Sequence, residues 1–122
     1  MDYEIAFPRL SFLAILFAVW LPAPVRADTT VSACDAWMYV GQNVAVEGVV
    51  TAVSTSRKGN TFINFGGVYP NQCFTGWIST GPDRDASLES LKGKKIKITG
   101  TVQLYQGKPE IKIQSRSQIV EE

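Results

Sequence analysis

Histidine is absent from this 122-residue chain, and cysteine occurs only twice. Without imidazole the commonest general base and the commonest metal ligand are both missing. Two thiols alone cannot build a metal cluster, so neither a metal nor another cofactor is expected. Excess charge is missing as well: Lys and Arg number 12 against 11 for Asp and Glu, a formal net charge of +1. A balanced chain has no global attraction to nucleic acid, so any such role needs a local cationic patch. Low-complexity segments and linkers are also lacking, and the length suits one domain.

The first stretch reads as an export signal. Leu10 to Leu21 (LSFLAILFAVWL) is almost wholly apolar, too short to span a bilayer but suited to the h-region of a signal peptide. Pro22 and Pro24 follow, then Val25-Arg26-Ala27, a cleavage site of the small-x-small type. Asp2 and Glu4 stand against Arg9 in the n-region, where a misassigned start or a retained anchor would account for the weak positive charge. The expected division is a signal peptide over residues 1–27 and a domain over 28–122, periplasmic or secreted, with no membrane span after cleavage.

Both cysteines, Cys34 and Cys73, lie in the mature part. In an oxidising compartment they are expected to form one disulfide, the alternative being two separate buried thiols. Ser32 to Tyr39 has the pattern of one short helix: Ser32 and Asp35 have capping-box spacing, Cys34, Trp37 and Met38 share a face, and Gly41 ends it. The period then changes from helical to alternating.

Val44 to Val50 alternates and reaches Gly48; Ile96 to Val102 repeats the same shape around Gly100. Glycine weakens a strand, so two at matched positions predict two sharply bent strands, as a small barrel needs to close. Between them lie Thr61 to Phe65 (TFINF), after the Lys58-Gly59-Asn60 turn, and Cys73 to Ser79 (CFTGWIS), after Gly66-Gly67 and Pro70-Asn71. Gly81-Pro82 precedes a short helix over Asp85 to Lys92, and the last strand, Glu110 to Gln114, follows the turn at Gln106 to Pro109. The order predicts a mainly β fold: a five-stranded Greek-key OB-fold barrel with a short N-terminal helix and a short helix between strands three and four. An open sandwich or an SH3-like barrel shares the strand count.

An OB barrel binds ligands on the face of its second and third strands, between two flanking loops. If Ile63, Phe65, Phe74 and Ile78 point inward, Phe62, Asn64, Thr75 and Trp77 point to the open face. The flanking loops carry Arg57 and Lys58 on one side, Tyr105 and Lys108 on the other. Aromatics for stacking on bases, with cations for phosphates, make a platform for single-stranded DNA or RNA. Packing alone would also put Phe62 and Trp77 in strands. The run Lys92, Lys94, Lys95, Lys97 alternates with apolar residues and reads as a solvated strand that protects a sheet edge.

The strand Phe62-Ile63-Asn64-Phe65 is similar to the Phe-x-Asp-Leu-Arg strand of the anticodon-binding OB domains of aspartyl- and lysyl-type tRNA synthetases. Gly41 to Gly48 together with TFINFG, YPNQCFTGWI, LKGKKIKITG and YQGKPEIKI resembles small exported bacterial OB proteins of the tRNA-anticodon-like, nucleic-acid-binding group. That resemblance makes Phe62 the stacking residue. Asn64 stands where an acid is usual, Gly66 where arginine is usual and Thr75 in place of a glutamine. These departures weigh against base-specific reading more than against non-specific binding.

Catalysis is not expected. Asp83 and Asp85 sit where helix capping accounts for them. Nucleases of the thermonuclease type use an OB barrel but need clustered carboxylates beside it, and the first three strands here offer only Glu47. The competing reading is an interaction module holding an envelope protein or an oligosaccharide on the same face, or docking through a sheet edge.

Overall fold

The computed structural model describes residues 29–79 and 86–122. The expected signal peptide, Gly81-Pro82, Asp83 and Asp85 lie outside these residues. The described chain holds eight strands: β1 (Thr30–Ser32), β2 (Asn43–Thr55), β3 (Thr61–Phe65), β4 (Phe74–Ile78), β5 (Lys95–Thr101), β6 (Gln103–Tyr105), β7 (Lys108–Lys112) and β8 (Ile119–Glu121). Three 3₁₀ helices accompany them, Ala33–Tyr39, Ala86–Leu91 and Arg116–Gln118. The strand expected over Glu110 to Gln114 is β7, which starts two residues earlier and ends at Lys112, and it is not the last, since β8 follows. Gln106 and Gly107 take positive φ angles (52° and 81°) and close a two-residue hairpin, so Tyr105 already pairs with Lys108.

β2 is the longest element because it serves two partners in turn. Its first half, Asn43 to Val49, pairs with β5; from Val50 to Thr55 it pairs with β3. The register shifts between Val50 and Ala52. There the Thr51 hydroxyl lies within donating distance of the carbonyls of Asn64 (2.9 Å) and Gly67 (2.6 Å), closest to the latter, and accepts from Gly67 N at 3.3 Å. Gly48 lies just before this handover, where an added Cβ would come within 3.1 Å of both Ala33 Cβ and Phe65 Cδ2.

The mainly β expectation holds, but the ladder is an open eight-stranded sheet rather than a closed five-stranded barrel. Its order is β6-β7-β4-β3-β2-β5-β8, with β1 added parallel to β2. β8 occupies β5 at Ile96 to Ile98, and β6 occupies β7 at Lys108 to Glu110, so β5 and β7 have no ladder between them. Gln118 bridges that seam: its amide nitrogen reaches Thr99 O (2.9 Å) and Lys112 O (3.3 Å). Gly100 lets the two strands approach, since a Cβ there would lie 2.5 Å from Ile111 Cγ2. Gly100→Ala is therefore expected to destabilise the fold by about 1–3 kcal/mol, the cost of overpacking, read as a lower urea midpoint at unchanged m-value.

Both predicted helices are present, as 3₁₀ turns, and this changes which side chains they bury. At three residues per turn, positions i and i+3 share a face. Ala33 and Ala36 therefore face the core, as do Leu88 and Leu91 in the second helix, while Trp37 and Met38 stand 62 % and 51 % exposed. Cys34 and Trp37, three residues apart, share a face, but it is an exposed one; the expected capping box does not form, since Ser32 makes no side-chain cap bond. A capping box occurs instead at Ser115 and Gln118. Cys34 is bonded to Cys73, tying the first helix to the entry of β4. Around them Val44, Val46, Ile63, Phe65, Phe74, Ile96, Ile98 and Ile111 form the buried core. In the lysine run, Lys94 and Lys97 pair with Glu121 and Glu122, each at 3.3 Å.

Candidate nucleic-acid interface

β3, β4 and β7 lie side by side, and alternation turns one set of their side chains outward in two cross-strand rows. The registers align Asn64 with Thr75, Thr75 with Glu110 and Glu110 with Gln103. One step along the strands, Phe62 faces Trp77 and Trp77 faces Lys112. All four residues expected on this face do share it.

Two of them are not open to a ligand. Asn64 and Thr75 are buried at 3 % and 6 % exposure, and the Thr75 hydroxyl donates to Asn64 Oδ1 at 2.8 Å. Glu110, buried beside them, accepts from Gln103 Nε2 at 3.1 Å. Side chains this short and this close satisfy one another, as buried polar groups must. They form a structural polar band instead of the expected hydrogen-bonding surface. Beyond that band, residues 66–73 are pinned at both sides: Thr51 bonds Gly67, and Lys108 Nζ donates to Gln72 O at 3.2 Å.

The aromatic row differs. Phe62 and Trp77 are half-buried, so each keeps ring surface in solvent. Lys112 Nζ sits 5.3 Å from the Trp77 ring centroid, within cation–π range. Arg57 and Lys58 are exposed in the turn before β3, the end of the face nearest this row. Their turn is closed by Ser56 and Asn60, whose backbone bond is 2.8 Å. The structure thus brings Phe62, Trp77, Arg57 and Lys58 to one end. Tyr105 and Lys108 lie at the other, about 13 Å from the Lys112 row at the usual strand rise, beyond the polar band. Tyr105 is exposed, while the Lys108 ammonium is partly engaged by Gln72.

Lys112, Glu110 and Gln103 were not among the sequence candidates. The alternation of Glu110-Ile111-Lys112-Ile113-Gln114 marks Glu110, Lys112 and Gln114 as outward positions, and that was the available signal. Glu110 thus places an acidic side chain near the middle of the face, and Lys112 a cation at its Phe62–Trp77 end. Past Lys112 this row meets a groove of about 420 Å3 over the β5–β7 seam. Among the described residues no group of three or more His, Cys, Asp or Glu side chains could hold a metal ion, and no helix is long and apolar enough to cross a membrane.

No protein-family model matches the chain, and no curated protein is similar to it in sequence. Among solved structures it is similar to an aspartyl-tRNA synthetase from Leishmania major Friedlin, with a TM-score of 0.50 and 12 % identity. The likeness covers 91 % of this chain and 25 % of the synthetase, so the chain spans about a quarter of that protein's length. At this identity the likeness concerns the fold.

Proposed function

We propose that this chain is an exported, non-catalytic OB-type module that binds single-stranded nucleic acid without sequence preference. The observation that carries the reading is the row Phe62–Trp77–Lys112, two partly exposed rings in register with a cation over one of them. Bases of any identity stack on such rings, and Lys112, Arg57 and Lys58 lie where phosphates of the same strand would pass. The fold shared with part of a tRNA synthetase supports it, as does the resemblance of the Phe62 strand to anticodon-binding domains. The barrel reading is supported by β5 and β6 being separated only by Val102, so that β5 continues into the strand that pairs β7. The Cys34–Cys73 disulfide suits an oxidising, exported location.

The test is titration of a short single-stranded oligonucleotide at several salt concentrations. If three cations meet phosphates, the affinity should fall with a log–log slope of roughly −2. Trp77→Ala should weaken binding by about 1–3 kcal/mol at every salt concentration, and Phe62→Ala by a similar amount. Unchanged binding in both variants would remove the stacking surface from the account. Salt-insensitive binding of a neutral oligosaccharide would favour the competing reading, for which the buried Glu110 speaks because it disfavours anions there.

A further inference from the structure

The groove beyond Lys112 carries its own chemistry. Continuing the β6·β7 register (Gln103 with Glu110) by two residues would set Thr101 opposite Lys112, and by four Thr99 opposite Gln114. That ladder does not form; Gln118 bridges the strands from beneath and leaves their outward side chains as two walls. Thr101 also pairs with Asn43 on β2. The row Phe62–Trp77–Lys112 therefore runs on across the sheet into Thr101 and Asn43. With strands about 4.8 Å apart, the groove begins one strand spacing past the cation.

Apart from Lys112, the side chains lining this groove are amides and hydroxyls. The Gln114 backbone N–H donates to Gln118 Oε1 at 2.8 Å, while its side-chain amide is hydrogen-bonded to no described residue, and the Thr101 hydroxyl has only a long 3.5 Å contact from Asn43 Nδ2. Such groups carry no charge to attract a phosphate from a distance, and each both donates and accepts, as does a ribose 2′-hydroxyl. We propose that this seam groove is a sugar-reading subsite, with Gln114 and Thr101 engaging 2′-hydroxyls of a strand stacked on Trp77, so that the ligand is RNA in preference to DNA. The subsite rests on the reading of the aromatic row given above. A strand crossing from Phe62 to Trp77 passes a phosphate by Lys112 and sets its next sugar over the groove.

The experiment compares labelled octauridylate with octadeoxyuridylate, which differ only in the 2′-hydroxyl, by fluorescence anisotropy with the full chain. The expected affinity ratio is about five in favour of the ribo form, the worth of roughly one net hydrogen bond. In Gln114→Ala, and in Thr101→Val, the ratio should drop toward one. A ratio of one in the unaltered chain, with the deoxy octamer bound, overturns the subsite alone. A ratio that survives both substitutions does the same. If neither octamer binds, the aromatic row fails as a nucleic-acid site and the subsite fails with it.

Discussion

Replacing Cys34 with Ser and Cys73 with Ala is expected to cost about 4 kcal/mol of stability, because the bond closes a loop with a sequence separation of 39. In a domain of this size that corresponds to a fall in Tm of about 15–30 °C. Thermal unfolding of the two forms, followed by circular dichroism, reads it directly; a fall of under about 5 °C would contradict the estimate. The effect should also have a place in the structure. Both sulfurs sit against Gly66, whose φ of 76° starts the loop that Thr51 and Lys108 pin beside the β3–β4–β7 face. Hydrogen exchange at Asn71 and Cys73, whose amides donate to Val68 O and Phe65 O, should accelerate more than exchange in β5.

Phe65→Ala is expected to remove about 3–5 kcal/mol, seen as a lower urea midpoint. The ring is fully buried, lies 5.4 Å from the Phe74 ring and fills the space that Gly48 leaves without a side chain. No neighbour on those strands can collapse into the vacancy, because the ladder fixes both backbones. Phe65→Leu keeps most of the volume and should cost less than about 1.5 kcal/mol. Phe65 and the disulfide are also in contact through the Cys73 amide, so their losses are not expected to add. A chain lacking both falls near or below the stability of a typical small domain and should not fold cooperatively at 37 °C.

β2, β3, β4, β5 and β7 were legible because alternation is local, whereas β1, β6 and β8, three residues each, are too short to show it. Thr61 to Phe65 was placed to the residue, and every outward position of β3 and β4 followed from it. What alternation cannot report is how far an outward side chain remains accessible. Asn64 and Thr75 point as predicted and are nonetheless buried, because their partners come from β3, β4, β7 and β6 together. The helices show a similar limit. Apolar spacing over Ser32 to Tyr39 fits an α-helix or a 3₁₀ turn, and the tertiary contacts of Ala33 and Ala36 decided for the latter.

Sequence by itself determined the mainly β class, the presence of two cysteines able to pair, the glycines at matched strand positions, Gly48 and Gly100, and the aromatic candidates Phe62 and Trp77. Each is written in a pattern a few residues long or in a residue count. Only the tertiary structure decided that β5 and β7 stay unzipped over Gln118, that Lys112 covers Trp77, and that a polar groove continues the aromatic row. Those features join residues distant in the chain, and only the packing of the sheet sets the distances between them.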